Sequence, residues 1–303
     1  MKQGSDKCLI VITGPTAVGK TIFSIKLAQH FNTEILSADS RQFYREMRIG
    51  TAYPEPEELA AVKHHFLGNL SIAEDYNVAR YETEAMALLD ELFKKHQVLI
   101  LSGGSGLYID AISRGIDDLP DHDPTLREEL KAELDEIGLE AFGEKLKALD
   151  PEYFEVVDLN NPNRLLRAIE VCIQTGKTYT SLRRNTKKER PFRIIKIGLN
   201  MERDLLFKRI EERVDRMMKN ALLEEVKSLL PYRDHNALNT VGYKELFRYL
   251  DEEVSLEQAV ENIKTNSRRY AKRQLTWFKR DTDIHWFEAG DVESVLKFLE
   301  SMD

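Results

Sequence analysis

Nothing else in this 303-residue chain limits its architecture as tightly as the segment Gly14–Thr21, which reads GPTAVGKT and satisfies the pattern G-x-x-x-x-G-K-[ST]. The apolar run Leu9–Ile12 before it predicts a buried strand, and the apolar spacing within Thr21–Phe31 after it predicts a helix. Glycines allow the backbone N–H groups of such a loop to surround phosphate oxygens, and the start of the helix adds positive potential. We therefore predict a phosphate-binding loop in which Lys20 supplies a cation and Thr21 offers a hydroxyl ligand to Mg²⁺.

Further short apolar runs predict strands, and helical stretches such as Val78–Lys95 lie between some of them. These strands are predicted at Glu34–Ala38, Val98–Leu101, Ile194–Leu199 and Ile284–Phe287. Alternating strands and helices favour a parallel sheet wrapped by helices, so we predict an α/β fold with a P-loop NTPase-like sheet. Because residues 113–192 lack strand patterns, we predict a core formed by residues 1–112 and 193–303, and a mainly helical insertion domain at 113–192.

The composition excludes several broad classes of protein. Apolar residues make up 42% of the chain and charged residues 32%, which excludes wholesale disorder. No stretch of about 18 apolar residues occurs, and the first apolar run soon meets Gly14, so we expect neither a membrane span nor a signal peptide. Cys8 and Cys172 are too few for a disulfide framework or a four-ligand zinc site, which favours a reducing, cytoplasmic compartment.

Charge is unevenly distributed along the chain. The net charge of −8 should repel nucleic acid, but Lys264–Arg280 contains seven Lys and Arg residues and no acid. On a helix, Lys264, Arg268 and Lys272 would form one basic stripe. The apolar side chains expected to face the core are Ile263, Tyr270 and Trp277. We predict that this basic helix binds a phosphate backbone, with a merely solvated charged face as the alternative.

A carboxylate follows the second predicted strand. Asp39 stands directly after Glu34–Ala38, and ligands of open α/β sheets bind at the carboxyl ends of strands, so we expect Asp39 to face the phosphate-binding loop. It could serve as a general base, as a Mg²⁺ ligand, or as the N-cap of a following helix. Val98–Leu101 is followed by the glycine-rich segment Ser102–Gly106, where a motor ATPase most often has its Walker-B aspartate. The missing carboxylate argues against that class of protein.

Several segments together resemble the tRNA dimethylallyltransferases. They read GPTAVGKT, SADSRQFYREMRIGTAYP, LSGGSGLYIDAI, NPNRLLRAIEV, TVGYKE and KRQLTWFKR, and they span Gly14 to Arg280. The resemblance implies a cytoplasmic, Mg²⁺-dependent enzyme that transfers a dimethylallyl group from dimethylallyl diphosphate to N6 of the adenosine 3′-adjacent to the anticodon. It implies the tRNA anticodon stem-loop as the partner, with contacts from the insertion domain, and we expect a monomer.

Matched position by position, the resemblance also implies roles for individual residues. Those implied in catalysis are Lys20, Thr21, Asp39, Ser105 and Arg213, with Thr21 as the Mg²⁺ ligand. Those implied in diphosphate binding are Gly14, Pro15, Thr16, Ala17, Val18, Gly19, Lys20 and Thr21. Those implied in tRNA binding are Asp39, Ser40, Arg41, Gln42, Ser105, Arg127, Asn163, Arg164, Leu165, Leu166, Arg167, Asn239, Thr240, Val241, Gly242, Tyr243, Lys244, Lys272, Arg273, Gln274, Leu275, Thr276, Trp277, Phe278 and Lys279.

The chain departs from the family pattern at a few positions. Ser105 stands where threonine is usual, which keeps the hydroxyl group and loses a methyl contact. Asn220-Ala221 replaces a usual Gly-Leu pair, and Lys63 occupies a position where proline is common.

Two other functions use part of the same sequence. In a P-loop small-molecule kinase, ATP would occupy the loop and Asp39 would accept a proton from a substrate hydroxyl group, but the basic helix would have no role. A non-catalytic RNA-binding module would explain the basic helix and leave Gly14–Thr21 and Asp39 without a role. A prenyltransferase acting on tRNA uses all three features.

Overall fold

A computed structural model describes residues 7–184 and 187–302. Within these residues, six strands form one parallel sheet. The strands are β1 (Cys8–Thr13), β2 (Ile35–Ser37), β3 (His64–His65), β4 (Val98–Ser102), β5 (Arg193–Asn200) and β6 (Ile284–Glu288). Their spatial order is β3-β2-β4-β1-β5-β6. The predicted α/β fold with a parallel sheet is therefore confirmed.

The predicted strands all form, with ends that differ by about a residue from the apolar runs. The exception to the sequence analysis is β3, a strand of two half-buried histidines that pairs with β2 at the sheet edge. Its residues give no apolar run and no alternation, so no pattern predicts it. The central strand β1 is buried at every residue, because β4 and β5 flank it and helices cover both faces of the sheet.

Thirteen α-helices accompany the sheet in the part of the chain that the structure describes. They are α1 (Lys20–His30), α2 (Pro56–Ala61), α3 (Val78–Leu92), α4 (Gly106–Arg114), α5 (Pro124–Leu149), α6 (Pro151–Phe154), α7 (Pro162–Thr175), α8 (Tyr179–Leu182), α9 (Arg203–Lys219), α10 (Leu222–Ser228), α11 (Tyr243–Leu250), α12 (Leu256–Phe278) and α13 (Val292–Glu300). Short 3₁₀ turns occur at Leu230–Tyr232 and Asn236–Leu238. Among the described residues, the helices lack the combination of length and apolarity needed to cross a bilayer.

The chain forms two compact units. The larger unit runs to Ser113 and resumes at Glu189, and the smaller unit is Arg114–Lys188. In the larger unit, alternate residues of β1 enter cores on opposite faces of the sheet, because successive side chains of a strand point to opposite sides. Leu9 and Val11 pack with α3, α11 and part of α12, whereas Ile10 and Ile12 pack with α1 and α13.

The smaller unit is helical, and no strand occurs in its described residues. Its core brings together apolar side chains from α5, α6 and α7, among them Phe142, Tyr153 and Leu165. Helix α5 is interrupted at Gly138, whose φ of 78° lies outside the helical range. The strand-free character predicted for this part of the chain is thus confirmed.

Ala221 adopts a left-handed backbone conformation, with φ 69°, just before α10. A non-glycine residue in this region costs about 1–3 kcal/mol, and glycine avoids that cost. We expect Ala221→Gly to raise the free energy of unfolding by about 1 kcal/mol and the apparent Tm by roughly 2 °C. The control is Ala132→Gly on the exposed face of α5, which should lower the free energy of unfolding by about 1 kcal/mol. Equal losses in both variants would contradict strain at Ala221.

Candidate active site at the phosphate-binding loop

The segment Gly14–Thr21 connects β1 to α1, as predicted. Gly14 has φ 145°, and a Cβ atom there would lie 2.5 Å from the carbonyl oxygen of Leu199 on β5, so the tight approach requires glycine. Gly19 has φ 105° and is the N-cap of α1, where it has no side chain with which to cap the helix. The first N–H groups of α1 are therefore available to an anion, which is the arrangement that phosphate binding needs.

Lys20 folds back over the loop. Its Nζ donates hydrogen bonds to the carbonyl oxygens of Gly14 at 3.0 Å and Pro15 at 2.8 Å. Burial lowers the pKa of Lys20 to about 8, an effect that the carboxylate of Asp39 opposes. An anion that enters the loop would strongly stabilise the charged form of this partly desolvated amine.

Polar side chains gather where β2 and β4 end. Asp39 Oδ1 accepts a hydrogen bond from the N–H of Arg41 at 3.1 Å, so Asp39 closes a turn and does not cap a helix. Ser105 Oγ accepts from the N–H of Ser40 at 3.0 Å. The two loops touch closely, since a Cβ atom on Gly103 would lie 2.2 Å from the carbonyl oxygen of Ala38. Ser105 thus holds the residue next to Asp39 in place.

One face of α9 adds three arginines to the site. Arg213 donates from Nη1 to Thr16 Oγ1 at 3.0 Å and from Nη2 to the carbonyl oxygen of Thr51 at 3.4 Å, and burial lowers its pKa to about 10. Arg209 and Arg216 line the same cavity. The sequence analysis singled out only Arg213, although the spacing of four and three residues places all three on one helix face.

Two neighbouring cavities share Asp39 as part of their walls. The larger has a volume of about 790 Å³ and is lined by the phosphate-binding loop and the three arginines. The smaller, of about 110 Å³, has apolar walls from Ile210, Val214, Val241 and Ile263 beside Asp39. Tyr270 also lines both, and burial, with the Asp39 carboxylate, raises the pKa of its phenol.

Gln274 of α12 joins the two phosphate-facing loops. Its Oε1 accepts a hydrogen bond from the N–H of Thr16 at 2.8 Å, and its Nε2 donates to the carbonyl oxygen of Gly104 at 2.9 Å. The side chain is buried, at 6% exposure, so it is part of the interior. Gln274 therefore forms an internal bridge between the loops, and its predicted contact with tRNA stays a prediction.

The basic helix is α12, and only part of its charge is free. Lys264 forms an ion pair with Asp215 of α9 at 2.8 Å, and Arg268 pairs with Glu211 of the same helix. Within residues 7–184 and 187–302, Lys272 and Arg273 form no ion pair and are exposed. The absence of acids along the Lys264–Arg280 sequence thus does not leave every cation unpaired, because α9 supplies acids from outside the run.

The apolar side of α12 also differs from the expectation. Ile263 enters the core, but Tyr270 lines the two cavities, and Trp277 is 39% exposed. Trp277 Nε1 donates to Asp110 Oδ2 at 3.1 Å, and the indole lies against Gly106. The expectation that all three side chains face the core was therefore wrong for Tyr270 and Trp277.

The other predicted tRNA contacts of the larger unit divide into exposed and internal positions. Exposed positions are Asn239, Lys244, Thr276 and Lys279, and half-exposed positions include Ser40, Arg41 and Thr240. Tyr243 and Phe278 are buried, and Gln42 donates to the carbonyl oxygens of Thr51 and Ala52. Tyr243 and Phe278 therefore do not present a side chain at the surface, whereas Gln42 is half-exposed and lines the larger cavity.

In the smaller unit, Arg127 and Arg167 both donate to the fully buried carboxylate of Glu170, each at 3.0 Å. Leu165 and Leu166 of α7 are buried in the core, whereas Asn163 and Arg164 at the start of the helix are exposed. Of the residues predicted to contact tRNA in the N-R-L-L-R segment, Asn163 and Arg164 are accessible to a partner, and the two leucines are not.

A phosphate-binding loop at the centre of a parallel sheet, with cationic and polar side chains at the same edge, defines a P-loop α/β protein built to bind phosphate groups. The description of the family that matches residues 42–281 is IPP transferase. The tRNA dimethylallyltransferase 1 of Bacteroides fragilis is 52% identical over 97% of this chain and 98% of its own length. The tRNA dimethylallyltransferase of Christiangramia forsetii is 52% identical over 97% of each chain.

Solved structures agree. The tRNA isopentenylpyrophosphate transferase from Bacillus halodurans has a TM-score of 0.72 and 37% identity, and the match covers 97% of this chain and 96% of that one. A eukaryotic dimethylallyltransferase, described as acting on tRNA, has a TM-score of 0.76 and 27% identity over 95% of this chain and 75% of its own. The chain belongs to the IPP transferase family. The resemblance seen in its motifs is confirmed, and the comparisons favour a prenyltransferase over a kinase.

Proposed function

We propose that this chain transfers a dimethylallyl group from dimethylallyl diphosphate to N6 of the adenosine 3′-adjacent to the anticodon of tRNA, releasing diphosphate. The observation that carries the proposal is the position of Asp39, in the wall shared by a cation-lined cavity and a smaller cavity with apolar walls. The donor has a charged end and an apolar end, and the bond that breaks joins the two. Asp39 therefore stands where the nucleophile must arrive.

The charged end of the donor fits the larger cavity. Departure of diphosphate builds negative charge on the leaving oxygens, and Lys20, Arg213 and the first N–H groups of α1 converge on this space. Donors and cations held in place before the reaction stabilise such charge without further reorganisation. The smaller cavity has polar residues on part of its wall, and its apolar part, formed by Ile210, Val214, Val241 and Ile263, is suited to a five-carbon group. The developing positive charge of that group must be kept from water.

Asp39 serves as the acceptor of the N6 proton in this proposal. An exocyclic amine of adenine is a poor nucleophile, and removal of its proton during attack is an effect typically worth ~10²–10⁴-fold. The turn closed by Asp39 Oδ1 and the N–H of Arg41 fixes the orientation of the carboxylate. Ser105, through its bond with Ser40, acts as a support for this turn.

The residues at the loop fit a Mg²⁺ ion. Thr21 brings a hydroxyl oxygen to the larger cavity, and this is a hard ligand of the kind Mg²⁺ prefers. Mg²⁺ in phosphate-binding sites commonly takes most of its ligands from substrate oxygens and water. Bound Mg²⁺ would neutralise charge on the diphosphate.

The tRNA is proposed to lie against the exposed part of α12 and the exposed end of α7 in the smaller unit. Lys272, Arg273 and Lys279 are exposed, form no ion pair within the described residues, and can meet its phosphates. Lys272 Nζ lies 5.6 Å from the centre of the Phe207 ring and the Arg273 guanidinium 5.8 Å from that of Tyr270, contacts that leave both charges at the surface. The target adenine must leave its stack to reach Asp39, as enzymes that act on bases generally require. A monomeric, cytoplasmic enzyme remains our prediction.

The test is incubation of the chain with dimethylallyl diphosphate, Mg²⁺ and unmodified tRNA, followed by mass analysis of the nucleosides. Prenylated adenosine next to the anticodon is the expected product. A parallel reaction contains ATP with and without tRNA, and we expect no tRNA-stimulated phosphate release. Turnover of ATP with a small hydroxyl acceptor, without prenyl transfer to tRNA, would establish the kinase alternative.

Removal of two free cations from α12 should weaken tRNA binding specifically. For the double variant Lys272→Gln and Arg273→Gln, we expect a shallower slope in the plot of log K for tRNA association against log salt concentration. The change should correspond to the loss of up to about two phosphate contacts, with unchanged affinity for dimethylallyl diphosphate. The matched control is the double variant Lys94→Gln and Lys297→Gln, which removes the same amount of positive charge. Lys94 follows the end of α3 and Lys297 lies on α13, and both are ion-paired at the surface. If the salt dependence of tRNA binding is unchanged in the α12 variant, Lys272 and Arg273 are only solvated surface charges and do not bind tRNA phosphates.

A further inference from the structure

One carboxylate, that of Glu225 on α10, receives four hydrogen bonds. Its Oε2 accepts from the N–H groups of Arg48 at 2.9 Å and Ile49 at 2.7 Å, and its Oε1 accepts from the N–H of Gly50 at 3.0 Å. The hydroxyl group of Tyr243 donates to Oε1 at 2.7 Å. Two carboxylate oxygens offer about four acceptor positions, so these donors saturate the group.

The three N–H groups belong to consecutive residues, which form a concave set of donors of the kind that binds anions. The loop that carries them, residues 48–52, contributes to both cavities: Arg48, Ile49 and Ala52 line the larger, and Gly50 and Thr51 line the smaller. The carbonyl oxygen of Thr51 accepts from Arg213. The guanidinium group is thus held between this loop, at 3.4 Å, and Thr16 Oγ1, at 3.0 Å, so that the loop contributes to its orientation.

Tyr243 fixes the same loop from a second direction. Its ring is fully buried, and a Cβ atom on Gly50 would lie 2.6 Å from it, so the ring and the glycine are fitted to each other. The Gly50 of R-I-G-T-A and the Tyr243 of T-V-G-Y-K-E thus belong to one packed unit, and Glu225 completes it. This explains a buried tyrosine in a segment that was predicted to contact tRNA.

We infer that Glu225 and Tyr243 are positioning residues, which hold residues 48–52 over the two cavities and so keep Arg213 directed at the diphosphate. The inference rests on the proposed function for its catalytic consequence, but the hold on the loop does not depend on it. Neither residue touches the reacting atoms.

Glu225→Gln preserves the shape of the side chain and converts one acceptor oxygen into a donor. When the amide oxygen retains Arg48 and Ile49, the amide nitrogen faces the N–H of Gly50, which loses its acceptor. An unsatisfied donor of this kind destabilises the observed position of residues 48–52. We therefore expect the affinity for inorganic diphosphate to fall, and the KM for dimethylallyl diphosphate to rise, each on the order of tenfold. Amide hydrogen exchange at residues 48–50 should accelerate by a similar factor, while β1 and β4 keep their protection.

The control is Glu224→Gln, since Glu224 is the exposed neighbour on the same helix and its substitution changes the net charge equally. Tyr243→Phe keeps the ring against Gly50 and removes only the hydroxyl donor, so it should shift the same measurements in the same direction by less. Both variants are measured as the full chain.

Unchanged loop exchange and diphosphate affinity in Glu225→Gln, relative to Glu224→Gln, would overturn the inference. If Glu225→Gln fails to fold, the Tyr243→Phe variant decides the question. Its amide hydrogen exchange at residues 48–50 must then be faster than in the unaltered chain. If the unaltered chain transfers no prenyl group, the proposed function fails, yet exchange and diphosphate titration still decide whether Glu225 holds the loop.

Discussion

Asp39→Asn should lower kcat at least ~100-fold while leaving the affinity for dimethylallyl diphosphate close to that of the unaltered chain. The amide has the shape of the carboxylate and its oxygen can still accept from the N–H of Arg41, so the turn after β2 is preserved. What disappears is the group that we propose as the acceptor of the N6 proton. Single-turnover transfer to tRNA and titration with the prenyl diphosphate separate the two effects.

The control for this variant is Asp90→Asn, an exposed aspartate on α3 that lies outside both cavities. It changes the net charge by the same amount and should leave transfer unaltered. A loss of less than about tenfold in Asp39→Asn would remove the general base from the proposal, because proton acceptance by a positioned carboxylate contributes more than that.

Lys20→Ala should weaken both the binding of dimethylallyl diphosphate and its turnover. The ammonium group lies over the loop carbonyls, and in the proposed reaction it contacts the diphosphate in the ground state and in the transition state alike. Its removal also takes a donor from both carbonyl oxygens, although that of Pro15 still accepts from the N–H of Val18 at 3.4 Å. Titration calorimetry with the prenyl diphosphate measures the first effect, and prenyl transfer under saturating donor measures the second.

Lys26→Ala is the matched control, since Lys26 is exposed on the same helix and lies outside both cavities. Donor affinity in that variant should remain as in the unaltered chain. If Lys20→Ala binds the prenyl diphosphate with unchanged affinity, Lys20 does not contact the diphosphate, and the proposed orientation of the donor is wrong.

The sequence predicted the centre of the molecule well because buried parallel strands are short apolar runs. Leu9–Ile12 and Val98–Leu101 carry that signal directly, and both lie within a residue of the observed strands. The loop between β1 and α1 is also signalled locally, since Gly14 and Gly19 both have positive φ angles, although the approach of Leu199 to Gly14 adds a distant cause. A feature whose cause lies within a dozen residues can be predicted from them.

Features that depend on distant partners could not be predicted in this way. Lys264 and Arg268 are neutralised by acids of α9, some fifty residues earlier, and nothing within α12 signals those pairs. The seven-residue spacing of Ile263, Tyr270 and Trp277 does place them on one side of the helix. That side faces the core at Ile263, the cavities at Tyr270 and solvent at Trp277, and only the packed structure determines the change.

The close approach of Gly14 to the backbone of Leu199 has a consequence for biosynthesis. The loop is shaped partly by β5, and β5 pairs with β1 through a register that sets Cys8 opposite Arg193. During synthesis, the loop therefore leaves the ribosome long before β5, the strand against which it rests. Pairing of two strands so far apart in the sequence is slow. A nascent chain that has emerged only as far as the smaller unit carries the whole GPTAVGKT segment without a finished anion cradle.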